Sequence, residues 1–207
     1  EEAAGLKIED RKVRNSIAEG NKVKLLKMNP APLLVPEFAD RIEVGNLSDD
    51  LARLNEVDWV IEVVVERLDI KVDLFKKIAA HVRPGTIVTS NTSGISLKAM
   101  VEELPESFTR YFLGTHFFNP PRYMKLLEII PGPNTDPDII TFLSEFGERV
   151  LGKGVVLAKD TPNFIANRIG VFGLAVTLQE MLRSGLTVDE VDALTGPVMG
   201  RPKSASF

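Results

Sequence analysis

The sequence predicts an α/β fold with a mainly parallel sheet, followed by the start of an all-helical domain. Short apolar, β-branched runs alternate with amphipathic helical patterns from about residue 40 to residue 158, and turn signals such as Pro84-Gly85 separate them. That alternation indicates βαβ units with right-handed connections. Beyond Asp160 a long apolar helical pattern replaces it. We therefore predict two domains, residues 1–160 and residues 161–207.

The individual elements follow from periodicity and from the residues that start and stop helices and strands. Residues 1 to about 35 indicate broken helix and then a turn at Asn29-Pro30. Strands are predicted at residues 41–44, 59–65, 86–89, 111–118, 125–130 and 154–158. Helices are predicted at residues 49–55, 70–82, 96–103, 138–151, 164–183 and 187–194.

Three of these elements carry further expectations. Residues 59–65 are almost continuously apolar, so both faces of that strand should be covered. Ser48 is predicted to cap the helix at 49–55, and Thr161 the long helix, with Pro162 in its first turn. The long helix is apolar around most of its circumference and must be buried on several sides, within a helical domain or a subunit interface.

Composition excludes several classes of function. The net charge of −4 gives no reason to expect nucleic acid as a partner. The absence of cysteine excludes thiol catalysis, thiolate metal sites and disulfides, and fits a cytoplasmic location. No cluster of His, Asp and Glu has metal-ligand spacing, so no metal is expected. The longest apolar stretch, residues 169–178, is too short for a membrane span of about 20 residues, and the acidic opening residues are no signal peptide.

Glu128 is a carboxylate inside an otherwise apolar strand pattern. It shares one strand face with Leu126 and Ile130, which withdraws it from water. Burying a carboxylate without a partner costs on the order of several kcal/mol. An edge strand that leaves Glu128 solvated is the alternative, but a partner is available on the preceding strand.

His116 lies at the carboxyl end of that strand, where ligands bind in open α/β sheets. Alone, a histidine among aromatic residues also fits a satisfied core position. Two successive strands place Glu128 against one imidazole nitrogen, which fixes the tautomer and leaves the other nitrogen to remove a proton. The pair favours catalysis with His116 as general base. The second histidine, His81, falls at the end of an amphipathic helix and is expected to face solvent.

Two further polar positions are candidates for contact with a ligand. Ser93 lies in a run of small hydroxyl and amide residues directly after a strand, which suits either a ligand-binding loop or a helix-capping turn. No Gly-x-Ser-x-Gly elbow surrounds Ser93, so we expect it to orient a substrate oxygen rather than act as a nucleophile. Asn167 is an unfavourable residue about two turns into the long helix. It reaches the cleft or makes an interhelical hydrogen bond.

Four ordered segments together resemble the 3-hydroxyacyl-CoA dehydrogenases of fatty-acid β-oxidation. They are Glu62-Val63-Val64-Val65-Glu66, Ser90-Asn91-Thr92-Ser93, His116-Phe117-Phe118-Asn119-Pro120 and the run from Lys159 to Arg168. Details such as Asn119-Pro120-Pro121-Arg122-Tyr123 are most similar to bacterial multifunctional enzymes that join this dehydrogenase to an enoyl-CoA hydratase unit. The resemblance covers about residue 40 onward and implies a Rossmann-type, doubly wound sheet, a homodimer and an acyl-CoA substrate.

The resemblance also assigns roles. It implies that His116 takes the proton of the 3-hydroxyl group while C3 delivers hydride to NAD, and that Glu128 orients His116. It implies that Ser93 and Asn167 hold the substrate oxygen and nearby groups, and that Asn119 lines the acyl-CoA side. The positions implied to approach the cofactor are Glu66, Lys71 and Asn91.

One departure concerns the cofactor. The family grips the pyrophosphate with a Gly-x-Gly-x-x-Gly turn after its first strand, and none of the 15 glycines forms that pattern. We therefore expect an incomplete Rossmann-type domain, truncated at both ends, that binds NAD weakly as this polypeptide alone. Its exposed sheet edge is expected to pair readily with another chain.

Rival interpretations remain open at this point. A related β-hydroxyacid or sugar-nucleotide dehydrogenase would rely on a catalytic lysine or cysteine, and the chain has no cysteine. A non-catalytic structural or binding fragment of the same fold is the second rival. Lys22, Lys24 and Lys27 either meet CoA phosphates or form a solvated helix face, and the solvated face is the simpler interpretation.

Overall fold

The computed structural model describes residues 7, 9–200 and 206. Its centre is a five-stranded sheet in which the strands lie in sequence order. The strands are β1 (Trp59–Glu62), β2 (Ile87–Ser90), β3 (Phe112–Phe117), β4 (Leu126–Pro131) and β5 (Gly154–Leu157). Only the β3–β4 pair is antiparallel, and the other neighbours are parallel. The predicted α/β class with a mainly parallel sheet is confirmed.

Helices connect the strands and continue beyond them. They are α1 (Arg11–Leu25), α2 (Leu68–Ala79), α3 (Leu97–Val101), α4 (Glu106–Thr109), α5 (Pro137–Arg149), α6 (Ala166–Ser184) and α7 (Val188–Thr195). Short 3₁₀ turns occupy Pro36–Arg41, Leu51–Glu56 and Pro197–Met199. The helix α4 was not predicted. The helix α7 begins as predicted, with a capping box between Thr187 and Glu190.

The core lies on both faces of the sheet. Successive residues of a strand point to opposite faces, and β3 shows the result. Phe112 packs with Phe75 of α2 and Phe108 of α4 on one face, while Leu113 packs with Leu143 of α5 on the other. The central strands are therefore sandwiched between helices, and this fixes where their carboxyl ends open to a ligand.

Two predictions before β1 are wrong. Residues 42–44 form no strand and pair with none in the described part of the chain, because a short strand needs a neighbour for its backbone hydrogen bonds. The helix predicted at 49–55 is the 3₁₀ turn Leu51–Glu56, preceded by Asp50 without a side-chain cap. The predicted cap by Ser48 is also absent, and Asn46 Oδ1 instead accepts from the backbone N–H groups of Ser48 and Asp49 in a turn before Asp50.

The predicted cover on both faces of residues 59–65 is also wrong for this part of the chain. The strand ends at Glu62, and Ile61 and Val63 are 43% and 70% exposed. β1 is an edge of the described sheet, with β2 as its only neighbour there, and Ile61 and Val63 line an open cavity beside residues 45–54. The division into domains at residue 160 stays a prediction.

The long helix α6 departs from expectation in two ways. It begins at Ala166, and Thr161 makes no cap, because residues 163 and 164 leave the helical conformation. None of its residues is buried, and Phe172 is 70% exposed, so the expected cover is not supplied by the described residues. In the described part of the chain, no helix combines the length and apolar character needed to cross a bilayer.

Candidate active site

The register of the antiparallel pair places His116 directly opposite Glu128. His116 Nδ1 lies 2.8 Å from Glu128 Oε2, and the two residues are 4% and 1% exposed. Directly opposed residues on neighbouring strands share a sheet face, so the contact follows from the register alone. The predicted pairing of these two residues is present in the structure.

The second carboxylate oxygen of Glu128 is held by backbone. Oε1 accepts hydrogen bonds from Ile165 N at 3.1 Å and Ala166 N at 2.8 Å. These N–H groups open the helix α6, where they lack partners within the helix and carry partial positive charge. Glu128 is therefore satisfied on both oxygens, in an arrangement that suits a charged carboxylate.

The other nitrogen of His116 is open. An ionised carboxylate only accepts, so Nδ1 carries the proton toward Glu128 and neutral His116 presents an unprotonated Nε2. Nε2 has no hydrogen-bond partner among the described residues, yet it is not sealed from solvent. The rings of Phe118 and Phe164 lie 4.5 Å and 5.6 Å from the imidazole, centroid to centroid. His116 can therefore take a proton from a ligand within an apolar surround.

The segment before α6 has an unusual backbone. Asn163 and Phe164 adopt φ angles of 62° and 47°, in the left-handed region. That conformation costs a non-glycine residue roughly 1–2 kcal/mol. Phe164 is 2% exposed and belongs to the core cluster between the sheet and helices α2, α3 and α4, and this burial offsets the cost. Asn167 consequently lies at the second position of α6, not two turns into a helix.

Glu66 organises the loop that follows β2. Its Oε1 accepts from Thr92 Oγ1 at 2.5 Å and Ser93 N at 2.8 Å, and Lys71 Nζ lies 3.3 Å from Oε2. Partial burial raises the pKa of Glu66, but the bonds from Thr92 and Ser93 and the charge of Lys71 outweigh it and hold that pKa below its ordinary value. The Glu66 side chain is 43% exposed, so it also faces solvent at the sheet edge.

Lys71 is enclosed. The residue is 1% exposed, and its ammonium lies 2.8 Å and 2.9 Å from the two carboxylate oxygens of Glu62. Glu62 also accepts from Val64 N and from Ser90 Oγ, both at 2.6 Å. Any contribution of Lys71 to a cofactor site therefore passes through Glu66.

Sequence reasoning assigned no role in the site to Glu62, Ser90 or Thr92. A signal was present in the sequence, because Glu62 is a carboxylate inside an apolar strand, as Glu128 is. Its cation stands nine positions later on a helix, and only the packing of α2 against β1 brings the two together.

Asn91 joins two strand ends. Its backbone N donates to Glu62 O at 2.8 Å, and its Oδ1 accepts from Phe117 N at 2.9 Å. The carboxyl ends of β1, β2 and β3 therefore lie together along one edge, as expected for ligand binding in a parallel sheet. This edge carries Glu66, Asn91, Ser93 and His116.

The remaining predicted residues lie nearby without a direct bond to His116. Ser93 and Asn119 are exposed and Asn167 is half-buried. Within the described residues their side chains make no hydrogen bond, so they are available to a ligand. Asn119 follows His116 by three positions, and Asn167 directly follows Ala166, whose N–H group binds Glu128.

A cation site is not evident in the described part of the chain, where no three His, Asp or Glu side chains come together. The NH₂ group of Asn91 and the hydroxyl of Ser93 are donors without partners there, and Glu66 is an acceptor. This donor set suits a polar organic ligand with hydroxyl, amide and carbonyl groups.

Comparison with known proteins agrees with this arrangement. Residues 4–161 match the family described as 3-hydroxyacyl-CoA dehydrogenase, NAD binding domain. The chain belongs to this family. Its description names NAD as the cofactor, and the match ends where the sheet gives way to the segment before α6.

Curated relatives and solved structures are similar over most of the chain. A probable 3-hydroxyacyl-CoA dehydrogenase of Bacillus subtilis is 56% identical over 207 residues, which is 100% of this chain and 26% of that protein. A putative fatty acid oxidation complex trifunctional enzyme of Rickettsia felis is 39% identical over 193 residues, 93% of this chain and 27% of that protein. The chain thus spans about a quarter of the length of these two relatives.

A solved structure shares the fold as well. The (S)-3-hydroxybutyryl-CoA dehydrogenase PaaH1 of Ralstonia eutropha aligns with a TM-score of 0.69 at 26% identity, over 84% of this chain and 60% of that one. The Rossmann-type architecture expected from the sequence is therefore confirmed.

Proposed function

We propose that the protein containing this chain oxidises (S)-3-hydroxyacyl-CoA to 3-oxoacyl-CoA with NAD, as a step of fatty-acid β-oxidation. The observation that carries the proposal is the buried His116–Glu128 pair, which holds Nδ1 at 2.8 Å and leaves Nε2 open. Family membership and the names of the relatives support the substrate class.

In this proposal His116 acts as the general base. Nε2 takes the proton of the 3-hydroxyl group, and the O–H electron pair forms the new C3=O bond. NAD, when bound, would supply the acceptor for the hydride that leaves C3. The imidazolium formed at His116 is stabilised by Glu128, whose charge is in turn held by the N–H groups of Ile165 and Ala166. General-base catalysis of this kind typically contributes about 10²–10⁴-fold.

The other site residues bind and orient. We assign Ser93 and Asn167 to the substrate oxygen and nearby groups, and Asn119 to the acyl-CoA side. Glu66 suits the ribose hydroxyls of NAD, because its carboxylate only accepts hydrogen bonds and is partly exposed. Asn91 offers its NH₂ group beside it, and Lys71 holds Glu66 in place.

The setting of the enzyme is part of the proposal. Trifunctional relatives support a fusion to an enoyl-CoA hydratase unit. The largely exposed apolar helix α6 is compatible with a homodimer interface. The cysteine-free composition supports a cytoplasmic location.

The test is NADH formation by the purified protein with 3-hydroxybutyryl-CoA, compared with free 3-hydroxybutyrate at equal concentration. We expect turnover of the thioester and little of the free acid. Turnover of the free acid alone would favour a β-hydroxyacid dehydrogenase. No turnover of either, with NAD bound, would favour a non-catalytic binding module.

A further inference from the structure

The segment of residues 160–166 is attached to the sheet domain at both of its ends. At its far end, the backbone N–H groups of Ile165 and Ala166 hold Glu128 Oε1. At its near end, Asp160 binds the start of α3, more than 60 positions earlier in the chain. Because backbone groups move only with the chain that carries them, the position of the far end depends on the anchor at the near end.

Asp160 adds a second cap to α3, a helix to which it does not belong and whose own N-cap residue is Ser96. Its Oδ1 accepts from Leu97 N at 3.0 Å, and its Oδ2 accepts from Lys98 N at 3.1 Å and Ser96 Oγ at 3.0 Å. Two backbone donors and one hydroxyl fix both oxygens of one half-buried carboxylate. A charged acceptor on such donors is held more firmly than a neutral one.

The same segment presses on the loop that carries Ser93. A Cβ atom placed on Gly94 would lie 3.1 Å from Asn163 N and 3.1 Å from Asn163 Oδ1. The loop and the segment are therefore in close contact, and the glycine makes this approach possible. Asn163, three residues after Asp160 in the same segment, thus packs against the Ser93 loop.

The left-handed residues Asn163 and Phe164 show that this path is imposed by its surroundings. A regular helix start would not need two non-glycine residues at positive φ, and such a conformation persists only where tertiary contacts enforce it. The enforcing contacts are the Asp160 bonds to α3 and the burial of Phe164, whose ring lies 5.6 Å from that of His116.

We propose that Asp160 is a positioning residue for catalysis: by capping α3 it sets the backbone donors that hold Glu128, and through Glu128 the imidazole of His116. The inference rests on the proposed function for its kinetic consequence, but not for its geometry. Asp160 touches neither His116 nor Glu128, so its effect passes through residues 161–166.

The test compares Asp160→Ala and Asp160→Asn with the matched variant Asp136→Ala. Asp136 also caps a helix, accepting from Asp138 N at 3.0 Å at the start of α5, and it also binds a second group, Arg110. Both alanine variants therefore lose a carboxylate cap and a similar amount of stability, measured as a fall in Tm of a few degrees. Only Asp160 is connected to Glu128.

With 3-hydroxybutyryl-CoA and NAD, we expect kcat of Asp160→Ala to fall about tenfold or more, because small misplacement of a catalytic group is costly. The KM for NAD should change less than about twofold, since Asp160 makes no bond to Glu66 or to the groups that hold Glu66. Asp136→Ala should keep its kcat. Asp160→Asn retains an acceptor for one α3 donor and should fall between wild type and Asp160→Ala.

A second readout does not require turnover. In protein labelled with ¹⁵N-histidine, the imidazole signal that disappears in His116→Gln belongs to His116. We expect that signal to shift in Asp160→Ala and to stay in place in Asp136→Ala. An unshifted signal in Asp160→Ala, or equal kcat in the two alanine variants, would overturn the inference. If the signal shifts in Asp160→Ala but the wild-type protein does not turn over the substrate, the result would count against the proposed function alone.

Discussion

Glu62 and Glu128 are two buried carboxylates of one sheet, and their partners are of different kinds, a lysine and a histidine. They are 3% and 1% exposed, and each stands in an otherwise apolar strand segment. Glu62 pairs with Lys71 inside a closed set of bonds. Glu128 pairs with His116, whose second ring nitrogen has no hydrogen-bond partner among the described residues.

The two pairs show that one sheet can use a buried carboxylate either for stability or for proton transfer. Around Glu62, the side-chain polar atoms of Lys71 and Ser90 all have hydrogen-bond partners among the described residues, so none of them is left for a ligand. Around Glu128 the partner can gain a proton at its free nitrogen. The first pair supports the loop that carries Ser93 through Glu66, and the second is placed to react.

The largest expected effect is the loss of activity when the His116–Glu128 pair is disrupted. His116→Ala should lower kcat for 3-hydroxybutyryl-CoA oxidation by about 10²–10⁴-fold, because the general base is gone. NADH formation measured at saturating substrate checks this. His81→Ala is the control, since His81 Nδ1 lies 2.7 Å from Lys77 O at the end of α2, away from the site. Unchanged NADH production by His116→Ala would remove the mechanism.

Disruption of the Lys71–Glu62 pair should lower the stability of the fold. Glu62→Gln leaves the buried ammonium of Lys71 without its main partner, and we expect the free energy of unfolding to fall by about 3–5 kcal/mol in urea titrations. Adding Lys71→Met to this variant should recover much of the loss, because no buried charge remains. Glu103→Gln breaks the exposed pair between Glu103 and Lys76, which lies on the same helix as Lys71, and should cost only about 0–1 kcal/mol. Equal losses from the two single variants would contradict this contrast.

Glu128→Gln should separate orientation from proton transfer. The amide keeps the shape of the side chain but loses the charge, so the imidazolium formed during reaction is less stabilised. A hydrogen bond to a charged group contributes about 1.5–3 kcal/mol, which corresponds to a fall in kcat of roughly 10- to 100-fold. That is smaller than the loss in His116→Ala, and a loss as large would show that Glu128 does more than assist.

The smallest effect concerns Glu66 and pH. Its folded-state pKa lies below the ordinary value of 4.5, so its ionised form is favoured on folding. The resulting stabilisation is complete above that ordinary value and is lost as pH falls through the folded-state pKa. We expect the difference in unfolding free energy between wild type and Glu66→Gln to shrink as pH falls from neutrality through the folded-state pKa of Glu66. Solvent screening keeps it small, since the side chain is 43% exposed. A difference that does not change with pH would contradict the shift.

Features with a local cause could be predicted from the amino-acid sequence. The α/β alternation and five of the six predicted strands follow from apolar periodicity and turn residues, and the cap at Thr187 follows from its own first turn. The His116–Glu128 pair was predictable because the two residues lie on successive strands that are joined by a short connection and therefore pair with each other. A buried carboxylate on one strand then requires a partner on the other.

Features that depend on partners distant in the chain follow from tertiary packing and could not be predicted. The strand expected at 41–44 does not form because no described strand pairs with it, and β1 is covered less than its composition suggested. The start of α6 is set by Asp160, Phe164 and Glu128, whose partners lie on other elements. Periodicity describes a face of an element, but packing alone determines what lies against that face.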